Sequence, residues 1–323
     1  MMNHLKNKIS CWSFAAVLAV SCCGCGQGGA QRAERELTFG FCVYDNSATY
    51  FKRMSDAVSL RCAELDIELI VKDSSGSKDA MMADCGSMIG QGIDALLISP
   101  CQPDALPDIV EKAHQKNIPV IVIDIGDGGS DKDAMIISDC FGGGEAAAKY
   151  AVQLLRAAGN TSKETVIIKC EEAAVYANQR GEGYRNGMEA EQYQIVEEVR
   201  ADSDEGKAYE TMKDILEEHR DISNVFAEND AMALGAQRAA SEKGLEDIVV
   251  IGFNGDTEAM NSIRAGQMKG TVAQEPFQMG YMAVELAMDC LEQTAISFDE
   301  QENRILYADV YMVGSDGKKV EEP

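Results

Sequence analysis

The segment 248–253 reads IVVIGF, and only Gly252 interrupts its apolar character. A near-continuous apolar run of this length is typical of a strand that is buried on both faces of a sheet. The segments 95–99 (ALLIS) and 120–124 (VIVID) have the same character, and each ends in a polar residue. Such strands alternate with helical segments along the chain, which predicts parallel sheets with right-handed crossovers. A second series begins at about Gly142, so we expect two α/β lobes.

The composition favours a soluble acidic protein. The chain has 323 residues, is 46% hydrophobic and carries 54 acidic against 29 basic side chains, a formal net charge of -25. This length is sufficient for one large core or two modest ones. An acidic surface repels phosphate backbones, so we expect no nucleic-acid partner.

The N-terminus has the pattern of an export signal. Lys6 and Lys8 precede the apolar segment 14–20 (FAAVLAV), which is too short to span a bilayer comfortably. The segment 18–22 (LAVSC) resembles a bacterial lipobox, which favours Cys22 as the lipid anchor, with Cys25 after Gly24 as the alternative. We therefore predict a signal peptide at 1–25, a polar tether at 26–36, and an extracytoplasmic protein anchored to the cell membrane.

The remaining cysteines do not form a disulfide pattern. Seven lie beyond the predicted leader, none in a CxxC pair, and their number is odd. Most lie within apolar segments, where a free cysteine packs as a small hydrophobic residue.

Polar residues follow the predicted strands. In parallel sheets, ligands bind beyond the carboxyl ends of the strands. The residues at these positions carry hydroxyl, amide or carboxylate groups: Asp45 or Asn46, Ser99, Asp124, Asn229, Asn254 and Gln274. None is a typical nucleophile, and the set suits a ligand rich in hydroxyl groups.

Signals of catalysis and of cofactors are weak. The glycines at 142–144 precede a helix but lack the lysine and hydroxyl residue of a phosphate-binding P-loop. The acidic residues of 124–133 and of 202–204 lack EF-hand spacing. His114 and His219 lie on predicted helices without a paired cysteine motif. We expect no enzyme activity, no cofactor and no metal.

Four segments carry a resemblance to a known family: 178–184 (NQRGEGY), 225–236 (VFAENDAMALGA), 249–255 (VVIGFNG) and 271–274 (TVAQ). In this order and spacing they resemble the periplasmic-binding-protein type I family, and most closely its branch of ribose-binding-like proteins. The resemblance extends from residue 37 to about residue 313. It implies two flavodoxin-like lobes, joined by three crossing segments, with a ligand cleft between them. The implied lobes are 37–138 plus 274–296 and 139–273 plus 297–323.

The resemblance also implies roles for individual residues. Asp124 would accept hydrogen bonds from sugar hydroxyls, and Arg180 would donate to them. Tyr50 and Phe51 occupy the positions of an aromatic pair that sandwiches the sugar ring. The remaining implied contacts are Asn229, Asn254, Gln274, Asn46 and Ser99. Ser99, Ile125 and Asn254 depart from the ribose pattern. An aromatic residue expected near Ser203 is also absent, and the loop before Tyr50 carries extra residues, so ribose itself becomes doubtful.

The implied function is capture of a monosaccharide or similar polyol for an ABC importer. The implied partners are a sugar, the permease of the importer and, through the lipid anchor, the membrane, with the protein itself a monomer. An alternative keeps the fold and makes the protein a sugar sensor for a membrane kinase or a chemoreceptor. A sugar-responsive repressor is disfavoured because the export signal occupies the place of its helix-turn-helix.

Overall fold

The computed structural model describes residues 36–172 and 174–321. The first half of this part alternates strands and helices. The elements are β1 (Thr38–Val43), α1 (Thr49–Glu64), β2 (Glu68–Asp73), α2 (Lys78–Gln91), β3 (Ala95–Ile98), a short 3-10 helix (Pro103–Ala105), α3 (Leu106–His114), β4 (Val120–Ile123) and β5 (Ala134–Ser138). Residues of β3, β4 and β5 are all buried, as their apolar sequences require in a sheet that is covered on both faces.

The second series of elements follows directly. It comprises α4 (Cys140–Ala157), β6 (Glu164–Lys169), α5 (Val175–Ala190), β7 (Gln194–Arg200), α6 (Glu205–Glu218), β8 (Ile222–Ala227), α7 (Asp230–Glu242), β9 (Val249–Asn254), α8 (Thr257–Arg264) and β10 (Gly270–Gln274). Three further elements complete the described chain: α9 (Pro276–Glu292), β11 (Ile305–Ala308) and β12 (Val310–Val313).

The strands form two sheets of six. The first has the order β11-β5-β4-β3-β1-β2 and all of its pairs are parallel. The second has the order β12-β10-β9-β8-β6-β7 and is parallel except for its edge strand β12, which runs antiparallel to β10. The prediction of two α/β lobes on parallel sheets is therefore confirmed, and the antiparallel edge is an addition to it.

Helices cover both faces of each sheet. In the first lobe α1 and α9 pack on one face, and α2 and α3 pack on the other. In the second lobe α4 and α5 cover one face, and α6, α7 and α8 cover the other. The apolar cores are thus divided between the lobes, and the carboxyl edges of the sheets are left to polar connections.

The described part of the chain passes between the sheets three times. The crossings lie between β5 and α4, between β10 and α9, and between β11 and β12. We expected residues 297–323 to belong wholly to the second lobe. This is wrong for β11, because β11 pairs with β5 and so belongs to the first sheet. Its four residues, ILYA, are a short apolar run that does not indicate which sheet it joins.

Candidate functional site

The polar residues that follow the strands lie at the carboxyl edges of the two sheets. Asn46, Ser99 and Asp124 follow β1, β3 and β4 of the first lobe. Asn229 follows β8, while Asn254 and Gln274 are the last residues of β9 and β10 in the second lobe. Hydrogen bonds that Gln274 accepts from Ser138 and Tyr50 of the first lobe show that these edges face each other.

Gln274 connects the lobes. Its Oε1 accepts a hydrogen bond of 2.8 Å from the Ser138 hydroxyl at the end of β5, and a longer one of 3.4 Å from the Tyr50 hydroxyl. Its Nε2 donates to Asn254 Oδ1 at 2.9 Å. Gln274 is 8% exposed, so these bonds satisfy an amide that burial would otherwise penalise. They define a polar network that begins in the first lobe and continues into the second.

Arg180 of α5 extends this network. Its Nη1 donates to Asn254 Oδ1 at 3.1 Å and to the backbone carbonyl of Glu228 at 2.8 Å. Its guanidinium carbon lies 4.1 Å from the centroid of the Phe253 ring, a cation–π contact. These contacts fix the plane of the guanidinium group and hence the direction in which its remaining N–H groups point.

Asp124 lies at the first-lobe side of the site in an unusual backbone conformation. Its φ is +62° and that of Ile125 is +53°, the left-handed region, which costs free energy for residues other than glycine. Its backbone N–H donates to the carbonyl of Ile136 at 2.8 Å, which holds it against β5. Burial raises the pKa of Asp124, and the nearby charge of Arg180 offsets only part of this effect. The carboxylate is therefore an acceptor that gains from further hydrogen bonds.

Several buried polar atoms at these edges lack a protein partner. Among residues 36–172 and 174–321, Asn46 Oδ1, Ser99 Oγ and Arg180 Nε are buried without a hydrogen bond, and Ser99 is 0% exposed. We call these three the unpaired site atoms. Burial of such groups costs roughly 1–3 kcal/mol each, which a hydroxyl-bearing ligand could recover.

The predicted aromatic pair is present in the first lobe. Tyr50 and Phe51 lie in the first turn of α1 and meet edge to face, with ring centroids 5.2 Å apart. Phe51 also contacts Tyr44 at 4.8 Å and packs on the first-lobe core. Burial, followed by the charge of Asp124, raises the pKa of Tyr50 well above its usual value, so its hydroxyl stays protonated and donates to Gln274. Tyr50 is thus joined to the polar network, whereas Phe51 supports it by packing.

Asn229 caps a helix in addition to lying at the site. Its Oδ1 accepts from the backbone N–H of Met232 at 3.0 Å, which satisfies the first turn of α7. Its Nδ2 lies 3.7 Å from the Cys170 sulfur, a weak contact. Because Oδ1 is used in the cap, the Nδ2 amino group is the part of the Asn229 side chain that remains to bond a ligand.

Asp230 is a buried support for the second-lobe edge. It is 0% exposed, and its carboxylate accepts from the Thr271 hydroxyl and from the backbone N–H of Asp256, both at 2.7 Å. These bonds tie the start of α7 to β10 and to the connection after β9. Burial raises the pKa of Asp230 to about 7. Asn254 precedes this connection and has a φ of +133°, a conformation that costs free energy for residues other than glycine. The bonds of Asp230 to the connection help to stabilise it.

A cavity of 260 Å³ lies beside the network and is lined by both lobes. Tyr50 and Arg53 line it from the first lobe, and Asn254, Asp256 and Gln274 from the second. It is the kind of concave, polar space between domains that small-molecule ligands occupy.

Sequence reasoning missed three residues of the site. Ser138 ends β5 and bonds to Gln274, Phe253 lies against Arg180, and Glu228 follows β8 and receives an Arg180 bond. Two of them, Ser138 and Glu228, lie at carboxyl ends of strands, so the rule that identified the others also applies to them. Phe253 carries no polar signal, and its contact with Arg180 depends on tertiary structure.

One group of possible metal ligands occurs in the described part of the chain, outside this site. Ligand atoms of Glu197, Glu218 and His219 lie within 4.8 Å of one another, on β7 and at the end of α6. His219 Nε2 is 3.4 Å from Glu197 Oε1, a contact that a hydrogen bond explains. These residues are partly or fully exposed and have no connection to the polar network.

The chain matches a known protein family over most of its length. The family model described as a periplasmic binding protein domain matches residues 39–295. The ribose import binding protein of Bacillus subtilis is 32% identical over 258 residues, which cover 80% of this chain and 83% of that protein. This chain belongs to the periplasmic-binding-protein family. Its members bind solutes rather than transform them, so the protein is not an enzyme, and the family is extracytoplasmic.

Solved structures share the fold of this periplasmic binding protein. A solute-binding protein of an ABC transporter from Actinobacillus succinogenes, with bound D-allose, aligns with a TM-score of 0.73 at 24% identity, covering 87% of this chain and 99% of that one. A periplasmic ribose ABC transporter protein from Conexibacter woesei aligns with a TM-score of 0.76 at 21% identity, covering 90% and 95%.

The predicted export signal and the anchoring cysteines, Cys22 or Cys25, lie outside the described residues. Among the helices that the structure does describe, none combines the length and the apolar character needed to cross a bilayer.

Proposed function

We propose that this protein captures a monosaccharide or similar polyol between its lobes and delivers it to an ABC importer. The observation that carries the proposal is the set of unpaired site atoms, Asn46 Oδ1, Ser99 Oγ and Arg180 Nε, contributed by both lobes. A ligand with several hydroxyl groups can donate to the first two and accept from the third. The names of the relatives, which include a ribose import binding protein and an allose-bound structure, support a sugar.

The proposed contacts divide by chemistry. Asp124 accepts from hydroxyl groups, and Arg180 donates to a hydroxyl or ring oxygen. Tyr50 and Phe51 cover an apolar face of the ring, since C–H groups pack well on aromatic side chains. The other proposed contacts are amide or hydroxyl groups: Asn46, Ser99, Asn229, Asn254 and Gln274.

Binding would stabilise the closed arrangement of the lobes, because one ligand bonds to both. An open–closed equilibrium shifts only by the difference in ligand affinity between its two states. Charge-assisted bonds of about 1.5–3 kcal/mol to Asp124 and Arg180 supply such a difference. The three crossing segments are where the backbone would absorb the movement.

We further propose that the mature protein is a monomer anchored by a lipid on Cys22, with Cys25 as the alternative. The lipobox-like segment 18–22 supports the first position, and the glycine before Cys25 supports the second. Incorporation of a labelled fatty acid into Cys22→Ala and Cys25→Ala variants distinguishes them. The variant that loses the label identifies the anchor, and retention in the double variant would refute lipidation at either.

The binding proposal is tested by thermal unfolding of the purified protein with D-ribose, D-allose, D-arabinose and myo-inositol. A ligand at a hundred times its Kd adds about 2.7 kcal/mol, which raises the Tm of a protein of this size by about 5 °C or more. The same sugar should not stabilise Asp124→Ala to this extent. Equal stabilisation of both proteins would contradict the site, and no stabilisation by a wider set of sugars and polyols would contradict the function.

A further inference from the structure

The buried carboxyl group of Glu228 lies directly behind the ligand-facing residues of the second lobe. Glu228 is 0% exposed and stands between β8 and Asn229. Its Oε2 accepts the backbone N–H of Cys170 at 2.7 Å, and its backbone carbonyl accepts Arg180 Nη1 at 2.8 Å. Glu228 therefore connects the end of β6 with α5, which carries Arg180, and with the start of α7, where Asn229 lies.

The second carboxyl oxygen of Glu228 is not used by the protein. Within residues 36–172 and 174–321, Oε1 is buried and has no hydrogen-bond partner. It points at Gly181, the neighbour of Arg180, where a Cβ would clash with it. Glu228 Oε1 therefore packs against the backbone of α5 at Gly181, next to Arg180. Any side chain larger than that of glycine at position 181 would leave no room for it.

We propose that Glu228 is a positioning residue whose ionisation state adjusts Arg180 and Asn229, so that ligand affinity depends on pH near neutrality. This inference rests on the proposed function, since it concerns the same site. Glu228 touches no ligand in this account. It acts through the backbone carbonyl that holds Arg180 and through its direct chain connection to Asn229.

The charged and titratable groups around Glu228 come from every element packed on it. They are Lys169 and Cys170 at the end of β6, Arg180 of α5, Arg200 at the end of β7 and the buried Asp230 at the start of α7. Burial raises the pKa of Glu228 to about 7, although Lys169, Arg180 and Arg200 oppose this rise. Burial also raises the pKa of Cys170 to about 11, so this thiol stays neutral while Glu228 titrates.

The direction of the pH effect follows from desolvation. Closure of the lobes around an uncharged sugar removes water near Arg180, and loss of water favours the neutral form of a carboxyl group. Ligand binding therefore takes up a proton at Glu228. By linkage, affinity is higher below the carboxyl pKa and falls as the pH rises through about 7.

The first experiment needs no ligand. The ¹⁵Nε–¹Hε resonance of Arg180 is followed from pH 5.5 to 8.5 in the full protein and in Glu228→Gln, which keeps an acceptor for the Cys170 N–H. We expect a titration midpoint near neutrality in the wild type and no such step in the variant. A resonance that does not move in the wild type, or that moves equally in Glu228→Gln, overturns the proposal whether or not any sugar binds.

The second experiment measures affinity by calorimetry at pH 6 and pH 8, with D-ribose, D-allose, D-arabinose and myo-inositol as probes. We expect the Kd of a bound probe to rise about threefold or more in the wild type and to stay constant in Glu228→Gln. His114→Asn/His219→Asn removes the two histidines of the described chain and should retain the wild-type dependence. A wild-type Kd that does not rise, or a rise that persists in Glu228→Gln, overturns the proposal.

The two experiments separate the possible failures. If no probe binds but the Arg180 resonance titrates through Glu228, the positioning role stands and the proposed sugar specificity fails. If a probe binds with an affinity independent of pH, sugar binding stands and the role of Glu228 fails. Thermal unfolding of Glu228→Gln confirms that the variant is folded, so a loss of binding is not mistaken for unfolding.

Discussion

The carboxyl edges of the two sheets carry similar polar residues but use them in different ways. In the second lobe Asn229 caps α7, and Asn254 and Gln274 are bonded to each other and to Arg180 or Ser138. In the first lobe Asn46 and Ser99 each keep a buried polar atom unpaired among the described residues.

This difference indicates that the amide side chains of the second-lobe edge are organised before any ligand arrives, whereas Asn46 and Ser99 of the first lobe, like Arg180 Nε of the second, gain partners from the ligand. Preorganised groups lose little conformational entropy on binding, so they contribute most of their interaction energy to affinity. Unpaired groups add specificity, because a ligand that lacks the matching hydroxyl leaves the cost of their burial unrecovered.

The largest effect expected from this comparison is a pH dependence of the free energy of unfolding that comes from Asp230, which supports the second-lobe edge. The pKa of Asp230 is raised from 3.8 to about 7, so the folded protein holds a proton there that the unfolded chain releases. The associated stability is fully present below about pH 4 and is lost as the pH rises through about 7. The full loss from Asp230 is of the order of 4 kcal/mol, and about 2–3 kcal/mol of it falls between pH 5 and pH 8, where urea unfolding measures it.

In Asp230→Asn we expect this fall in stability between pH 5 and pH 8 to be about half as large, because Glu228, whose pKa is also raised to about 7, still titrates. The comparison uses the change with pH rather than the absolute stability, because the amide also alters the bonds to Thr271 and Asp256. An unchanged fall in the variant would mean that Asp230 does not titrate in this range.

The next effect is on ligand affinity. Arg180→Ala removes a fixed donor group and leaves Asn254 Oδ1 and the Glu228 carbonyl with fewer bonds. We expect a loss of about tenfold to a hundredfold in affinity, measured by calorimetry. Arg185→Ala is the matched control, since Arg185 lies on the same helix but pairs with Glu198 instead. Similar losses in both variants would mean that Arg180 acts through the helix and not through the ligand.

Asp124→Ala should weaken binding by about tenfold or more, because it removes a charged acceptor at the first-lobe edge. Asp131→Ala is the control, since Asp131 lies on the same connection and pairs with Arg304. Unchanged affinity in both Asp124→Ala and Arg180→Ala would reject the site.

The smallest effect distinguishes the two edges most sharply. Ser99→Ala removes an unpaired buried hydroxyl, so the ligand-free protein should be as stable as the wild type or up to about 1 kcal/mol more stable. Ligand affinity should nevertheless fall by a few-fold. Ser138→Ala is the comparison, because its hydroxyl is already bonded to Gln274 and its loss should lower the ligand-free stability. A destabilised Ser99→Ala would show that its hydroxyl has a protein partner.

Much of this arrangement can be predicted from the sequence. Apolar runs such as 248–253 predict buried parallel strands, and the polar residues at their ends predict the edge at which a ligand binds. The hydrogen-bond partners are less predictable, because they depend on side-chain directions in three dimensions. The sequence at Asn229 has the pattern of a helix cap as well as of a ligand contact, and the structure shows the cap.

Other features depend on long-range pairing. The last crossing at Asp309 depends on β11 pairing with β5, which lies about 170 residues earlier in the chain. Glu228 would be taken for a surface residue from its sequence, since a buried glutamate is rare unless it is paired. Its burial behind Arg180 follows from the packing of α5 on β8, with Gly181 leaving the space.

The central claim is that one ligand bonds to both sheet edges at once. A crystal structure of the protein saturated with a sugar that stabilises it tests this claim most directly. We predict ligand oxygens within about 3 Å of Asp124 in the first lobe and of Arg180 in the second. A sugar bonded to one lobe only, or bound away from the network of Asn254 and Gln274, would contradict the account.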